Sequence, residues 1–216
     1  MKAPLAAAES CNRLLLDGFV GELSEEQKNI VKRSSRRLSD LLNLISDMID
    51  FSRVDFGEFG TEEVSLIEVI EDCVETMRPL AVEKGLQLVL EAPPKLPMIL
   101  GSAGRLKQVV TNLLSNAIRF TRSGEITVKV KDNKDNLQVD VIDTGIGIPA
   151  EDLPKVFDAF FKGLDMGQRG AGLGLSISKK IVEGHGGKIW ATSPCPETGK
   201  GSKFTFILPK EIKQAG

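Results

Sequence analysis

Two asparagines four residues apart, Asn112 and Asn116, lie on a stretch with helical periodicity, residues 104–121. Apolar residues form one face of this predicted helix: Leu106, Val109, Val110, Leu113, Leu114 and Ala117. The asparagines share another face with Arg105, Gln108 and Arg119. Amide oxygens are hard ligands suited to Mg²⁺, and guanidinium groups fork onto phosphate oxygens. The stripe therefore predicts either a solvated helix face or one side of a magnesium–phosphate site.

A carboxylate, Asp143, ends a predicted strand and is followed by glycines at 145 and 147. A carboxylate accepts a hydrogen bond from an amino group such as the one on adenine. Glycines let the backbone turn and come close to a flat ring. This segment predicts a site for a small polar ligand that carries a donor.

The same glycines also match the dinucleotide fingerprint G-x-G-x-x-[GA], from Gly145 to Ala150. Its context is wrong, because the preceding strand is one arm of a predicted hairpin and not the first strand of a βαβ unit. Pro149 fits the first turn of a helix better than a pyrophosphate cradle. We reject a dinucleotide-binding fold.

A second glycine cluster, Gly170-Ala-Gly172-Leu173-Gly174-Leu175, leads directly into a predicted helix over 173–185. The free N–H groups and the positive dipole end of such a helix favour an anion. A flexible loop without a ligand is the alternative. The P-loop pattern G-x-x-x-x-G-K-[ST] is absent from the sequence, so bound phosphates would have to lie against this cluster, near Lys162.

The N-terminal quarter of the chain is predicted to be a helical hairpin. One helix covers 2–16, and a second runs from a capping box at Ser24 and Gln27 to about Val54. Leucines, isoleucine and methionine at a spacing of three or four form a seam along the second helix. Because two helices cannot bury both apolar faces alone, we expect the hairpin to form half of a homodimeric four-helix bundle.

The remaining sequence alternates between strand and helix patterns after a glycine-rich hinge, 56–61, which divides the chain into domains 1–56 and 60–216. The predicted helices are 66–84, 104–121 and 173–185. The predicted strands are 86–91, 98–100, 125–131, 137–143, 188–192 and 203–208. The fold class is α+β: a two-layer sandwich with a mixed sheet and helices on one face.

Composition limits the other functions. A net charge of −2 and a pI near 5.6 give no electrostatic case for binding nucleic acid or an anionic membrane. No apolar run reaches the ~18–20 residues that span a bilayer. Three scattered cysteines without a C-x-x-C spacing indicate a reducing compartment and three small buried side chains. We therefore expect a cytoplasmic domain, whatever anchors the parent protein.

The order and spacing of five motifs resemble the catalytic domain of bacterial sensor histidine kinases, in the ATPase superfamily that includes gyrase, Hsp90 and MutL. The motifs are Asn112–Asn116 (N box), Asp143–Gly147 (first glycine box), Phe157–Lys162 (F box), Gly170–Leu175 (second glycine box) and Gly199–Ser202 (closing box). The hairpin, with LSEEQ and DMIDFSRVD, is similar to the dimerisation domain of that family.

This resemblance implies a role for each matching residue. Asn116 would hold Mg²⁺ with Asn112 assisting, and Asp143 would bind the adenine amino group of ATP. The pocket would be shaped by Gly145 and Gly147 and lined by Phe120 and Ile148. Phosphate contacts would come from Arg119, Lys162, Gly170, Gly172, Leu173, Gly174 and Leu175. Phe160 and Lys162 would belong to a lid over 157–171, with Lys162 near the γ-phosphate. The implied partner is a response regulator receiver domain.

One departure from the family concerns the phosphoacceptor. The segment Met1–Leu5 resembles the end of the histidine box, so the acceptor histidine would precede Met1. The only histidine, His185, lies in a turn-like GHGGKIW setting and is interpreted as structural. We expect a chain that binds Mg-ATP without autophosphorylating, either as a piece of a longer kinase or as a natural degenerate form. The competing hypothesis is a non-catalytic, nucleotide-sensing module that binds a partner protein.

Overall fold

The structure is a computed structural model that describes residues 2–53, 62–163 and 172–210. Two antiparallel helices, α1 (Lys2–Leu16) and α2 (Glu25–Arg53), form the predicted hairpin. The capping box is confirmed: the Ser24 N–H donates to Gln27 Oε1 at 2.9 Å, and the Gln27 N–H donates to Ser24 Oγ at 3.2 Å. Ser39 of α2 donates to Glu9 of α1 at 3.0 Å and joins the two helices.

The second part of the chain is the predicted α/β sandwich. In chain order its elements are β1 (Glu62–Val64), α3 (Leu66–Glu83), β2 (Leu86–Glu91), β3 (Ile99–Gly101), α4 (Ala103–Phe120), β4 (Gly124–Asp132), β5 (Asn136–Asp143), α5 (Gly174–Gly184), β6 (Lys188–Thr192) and β7 (Lys203–Pro209). A short 3₁₀ helix, Leu153–Lys155, lies between β5 and α5. None of the helices in the described ranges has the length and apolar character needed to cross a bilayer.

Five strands form a mixed sheet in the order β2-β4-β5-β7-β6. Only β2 and β4 run parallel, and β5 is antiparallel to both of its neighbours. The glycines after β5 therefore do not follow the first strand of a parallel βαβ unit, which agrees with rejecting a dinucleotide fold.

One apolar core joins α3, α4 and α5 to a single face of this sheet. The predicted inner face of α4 is buried in full: Leu106, Val109, Val110, Leu113, Leu114 and Ala117 are at most 4% exposed. The sheet contributes alternate residues, such as Val128 and Val130 of β4 opposite Val141 and Val139 of β5. α4 consequently packs between α3 and α5 on this face of the sheet.

The opposite face of the sheet carries both polar and apolar side chains and contains a fully buried carboxylate, Asp140. Thr205 Oγ1 donates to Asp140 Oδ1 at 2.8 Å, and the ammonium groups of Lys131 and Lys203 lie 3.3 and 3.5 Å from Oδ2. Lys203 also pairs with Glu197, whose pKa falls to about 2 chiefly through that hydrogen bond. The buried charge is therefore paired and hydrogen-bonded, as burial requires.

Three features differ from the sequence-based expectations. The short strand β1, which pairs with β3, was not predicted, because three residues carry no readable period. The 3₁₀ helix Leu153–Lys155 was also missed. The expectation of three buried cysteines is wrong for Cys11, which is exposed on α1, whereas Cys73 and Cys195 are buried. The predicted hinge at 56–61 lies outside the described residues.

Candidate functional site

Asp143, the last residue of β5, is only 4% exposed. Its Oδ1 accepts the N–H of Gly145 at 2.8 Å and the N–H of Ser202 at 3.2 Å. Burial raises the pKa of this carboxyl group, and the hydrogen bonds from Gly145 and Ser202 partly oppose the rise. The carboxylate is held rigidly by backbone groups, which suits it to bind a ligand's donor.

The loop after Asp143 is packed against the C-terminal end of α4. The Ile146 N–H donates to the Phe120 carbonyl at 3.3 Å. A side chain at Gly145 would place its Cβ 2.5 Å from that same oxygen. Glycine is therefore required at 145 by close packing, and the loop takes its position from the last residue of α4.

Asn112 lies against the beginning of α5. Its Nδ2 donates to Ser178 Oγ at 2.9 Å, and its Oδ1 occupies the place where a Cβ on Gly174 would be. Any side chain at 174 would collide with this amide. The oxygen of Asn112 and the first residue of α5 thus border the same space.

Asn116 lies between these two ends on the same face of α4. Positions 112, 116 and 120 are spaced by four, so their side chains follow one stripe over ~12 Å of helix. The Asn112 side chain contacts α5, and the backbone carbonyl of Phe120 contacts the Asp143 loop. Asn116, which is half-buried, is placed between the two glycine segments, and the Arg119 guanidinium stacks 5.1 Å above the Phe120 ring.

The N-terminus of α5 carries no capping side chain. Leu173 makes no side-chain hydrogen bond to the helix, and the first turn contains no acidic residue. The positive end of the helix dipole is therefore uncompensated by the chain's own carboxylates in this turn. Such a terminus favours a phosphate or carboxylate group.

Phe160 and Phe161 lie against Gly172, two residues before α5. The Phe160 N–H donates to the Gly172 carbonyl at 2.9 Å, and a Cβ on Gly172 would lie 2.6 Å from the Phe161 carbonyl oxygen. Phe160 has a positive φ of 65° and is 56% exposed. Lys162 is also exposed, two residues further on. Gly170, and the rest of the predicted lid from 164 to 171, lies outside the described residues.

Two residues of the site were given no role by the sequence analysis. Ser202 donates its N–H to Asp143, and the Ser193 hydroxyl accepts the N–H of Ile148 at 2.8 Å. Ser202 belongs to the closing glycine motif, so the sequence contained a signal for it. Ser193 had none, because its role depends on bringing β6 beside the Asp143 loop.

His185, at the end of α5, is buried and hydrogen-bonded on both sides of its ring. Its Nε2 accepts the Ser102 N–H at 3.0 Å, and Nδ1 lies 2.7 Å from the Ile181 carbonyl oxygen. Burial lowers the pKa of this imidazole, although the Ile181 bond opposes the change. A neutral ring with its proton on Nδ1 satisfies both contacts. His185 joins α5 to the beginning of α4 and faces the core.

Two family models match the chain. Residues 101–212 match the model described as "Histidine kinase-, DNA gyrase B-, and HSP90-like ATPase", and residues 1–57 match the "His Kinase A (phospho-acceptor) domain". The sandwich is thus an ATPase-type domain joined to a kinase dimerisation hairpin. The chain belongs to the sensor histidine kinases.

Individual relatives agree with this assignment. The sensor histidine kinase RcsC of Escherichia coli (strain K12) is 39% identical over 211 residues, which are 91% of this chain and 22% of RcsC. Full-length ShkA in complex with AMPPNP superposes with a TM-score of 0.81 at 29% identity, over 99% of this chain and 44% of ShkA. ThkA in complex with the response regulator TrrA gives 0.73 at 26% identity, over 100% of this chain and 62% of ThkA. The chain spans about a fifth of the length of RcsC.

Proposed function

We propose that the chain binds Mg-ATP between the Asp143 loop, the asparagine stripe of α4 and the N-terminus of α5, and acts as a protein-histidine kinase. One observation carries this proposal: a buried carboxylate and an uncapped helix N-terminus lie at opposite ends of that stripe. The complex of ShkA with AMPPNP, an ATP analogue, supports it.

The adenine end of the proposed site is the Asp143 loop. Asp143 accepts a hydrogen bond from the adenine amino group, while its Oδ1 stays fixed by backbone N–H groups. Gly145 and Gly147 shape the pocket by letting the loop pack closely against the Phe120 carbonyl and the Ser193 hydroxyl. Phe120 and Ile148 provide apolar walls.

The phosphate end is the N-terminus of α5 together with the polar face of α4. Gly172, Leu173, Gly174 and Leu175 offer backbone N–H groups and a helix dipole to the phosphates. Arg119, Lys162 and the segment that contains Phe160 and Gly170 complete the phosphate contacts. Asn116 holds Mg²⁺ with Asn112 assisting, because amide oxygens suit this ion and Asn112 Oδ1 already borders α5. The ion neutralises phosphate charge, and the protein's own contribution is to position the nucleotide.

The acceptor in this proposal is a histidine on the hairpin of an intact kinase, and not His185. Both nitrogens of the His185 ring are engaged, and the side chain is 3% exposed. Since it is the only histidine of the 216-residue chain, we expect no autophosphorylation. Transfer from the phosphohistidine to a receiver domain follows by analogy with ThkA, which was solved with a response regulator.

The hairpin is proposed to form a homodimer. Several of its apolar residues are exposed in the single chain: Leu14 (47%), Phe19 (77%), Val20 (71%), Ile30 (60%) and Leu41 (41%). A second hairpin packed against these residues would give a four-helix bundle. Dimerisation would be driven by burial of this apolar surface, which contributes about 25 cal/mol for each Å² removed from water.

The proposal is tested by adding the chain and Mg-ATP to a separate hairpin that carries an intact histidine. We expect acid-labile phosphohistidine on the added hairpin and none on the chain itself. The control omits Mg²⁺ and should abolish the transfer. ATP binding without any transfer would instead favour a non-catalytic nucleotide-sensing module, and absence of ATP binding would refute the site.

A further inference from the structure

Ser193 follows β6 directly and lies between two loops that are distant in sequence. Its Oγ accepts the N–H of Ile148 at 2.8 Å and donates its proton to the Gly201 carbonyl at 2.9 Å. One hydroxyl thus uses its donor and an acceptor position on two separate backbone segments. These two bonds fix the distance between the loop after Asp143 and the loop before β7.

The packing around this hydroxyl is tight. Gly147 has a φ of 74°, and a Cβ at this position would lie 2.9 Å from Ser193 Oγ and 3.4 Å from the Gly201 carbonyl oxygen. Gly201 has a φ of 65°, and a Cβ there would collide with the Asp143 carbonyl oxygen. The Ser193 hydroxyl therefore lies at the point where both glycine loops meet.

The loop that contains Gly201 also holds the Asp143 carboxylate. The Asp143 N–H donates to the Ser202 carbonyl at 2.9 Å, and the Ser202 N–H returns a bond to Asp143 Oδ1 at 3.2 Å. The connections run from Ile148 through Ser193 and Gly201 to Asp143. Loss of the hydroxyl would release Ile148 and Gly201 from each other, so that Ser202, which follows Gly201 and holds the carboxylate, could shift relative to Ile148.

We propose that Ser193 is a positioning residue that sets the spacing between Asp143 and Ile148 and so determines selection of adenine over guanine. The proposal rests on the ATP site proposed above. Adenine presents an amino donor at C6, whereas guanine presents a carbonyl acceptor there, which a fixed carboxylate repels. Rejection of guanine requires that the carboxylate cannot move away, because a site rejects a mismatched group only when its polar groups are left unpaired.

Within the described residues, the hydrogen bonds of this hydroxyl go to Ile148 and Gly201 at the adenine end, so its effect should be confined to the base. A merely stabilising serine would change the melting temperature and leave the preference between purines unaltered. Thr198 offers a matched control in the same loop. Its exposed hydroxyl donates to the Lys200 carbonyl and accepts the Lys200 N–H, both within the loop.

The test measures dissociation constants of the chain for ATP, GTP and inorganic tripolyphosphate in the presence of Mg²⁺. For Ser193→Ala we expect roughly tenfold weaker ATP binding, since two hydrogen bonds of ordinary strength are lost. The ATP-to-GTP preference should fall by a similar factor, and tripolyphosphate binding should not change. Ser193→Thr retains the hydroxyl and should restore the preference, and Thr198→Ala should match the unaltered chain.

The ratio of ATP to GTP affinity within one variant does not depend on the folded fraction, because both ligands titrate the same folded molecules. A partly unfolded Ser193→Ala protein therefore still gives a decisive answer. If the unaltered chain binds ATP and the variant keeps the same ratio, the role of Ser193 is refuted and the ATP site stands. If the unaltered chain does not bind ATP, the ATP site is refuted and the role of Ser193 with it.

Discussion

Burial of the Asp143 carboxylate is unfavourable for the free chain, and that cost is informative about its purpose. Its pKa is raised from 3.8, first by desolvation, so the ionised form is less stable in the folded protein than in the unfolded one. The penalty is fully present above the raised pKa and disappears as the pH falls below 3.8. A group that weakens the fold at neutral pH is a candidate for function.

Asp143→Asn should therefore separate stability from binding. The amide oxygen can still accept the N–H groups of Gly145 and Ser202, while the buried charge is removed. At pH 7 we expect an unchanged or higher melting temperature without nucleotide. Binding of ATP should weaken by about 10- to 100-fold, because a hydrogen bond to a charged group is lost. Thermal melts with and without Mg-ATP measure both effects.

The unaltered chain shows how large a rise in melting temperature to expect from Mg-ATP. At an ATP concentration about a hundred times its Kd, binding adds about 2.7 kcal/mol, or roughly 5–10 °C in melting temperature for a domain of this size. Asp135→Asn makes the same replacement at an exposed position of the β4–β5 turn and should keep the full ATP response. An Asp143→Asn protein that keeps this response as well would contradict the role of the carboxylate.

At the scale of elements, the site depends on how α4 lies against α5. The two helices are connected at two places: Asn112 bonds to Ser178 in the middle of both helices, and the Ser102 N–H, just before α4, bonds to His185, just after α5. A Cβ on Gly101 would lie 2.8 Å from the His185 ring, so the ring is also clamped sterically. The asparagine stripe and the N-terminus of α5, where we propose that the phosphates bind, are thereby held in one arrangement.

The hydrogen bond between Ser102 and His185 should make the stability of the fold depend on pH. Protonation of His185 places a hydrogen on Nε2 and breaks the bond from Ser102. Because the pKa of the folded state is lowered from 6.5, this contribution is fully present above pH 6.5 and is lost as the pH falls from there through the lowered pKa. We expect the free energy of unfolding to decrease by up to about 1.4 kcal/mol per pH unit in that window.

Denaturant titrations between pH 7 and pH 5 measure this loss, and His185→Gln provides the comparison. His185 is the only histidine, so the variant should show a flatter profile over this range. Asp143, whose raised pKa acts in the opposite direction, is present in both proteins and cancels in the difference. If stability fell equally with pH in both proteins, protonation of His185 would not be what breaks the Ser102 hydrogen bond and weakens the fold.

The helices were more predictable from the sequence than the contacts between them. The buried face of α4 follows from its apolar spacing, and the Ser24–Gln27 capping box follows from two residue types three positions apart. By contrast, the β1–β3 pairing involves only three residues in each strand, which is too few to show a period. The hydrogen bonds of Ser193 to Ile148 and of His185 to Ser102 depend on long-range packing that no local pattern encodes.

At the scale of the whole molecule, the chain is divided into a hairpin and a sandwich with different sources of stability. The sandwich buries a continuous core of its own. The hairpin exposes apolar side chains such as Phe19 and Ile30, which a single copy of the chain leaves uncovered. The sandwich should therefore respond to nucleotide, and the hairpin should respond to protein concentration.

Calorimetry should accordingly resolve two unfolding transitions with separate dependences. The hairpin transition is expected to move to higher temperature with protein concentration, because a tenfold increase stabilises a dimer by about 1.4 kcal/mol. Mg-ATP should raise only the transition of the sandwich. Leu41→Glu places a charge on the predicted seam of α2 and should abolish the concentration dependence. Arg36→Glu changes an exposed residue that lies about 140° around α2 from Leu41, and it should preserve this dependence. A hairpin transition that stays at one temperature across concentrations in the unaltered chain would exclude the dimer.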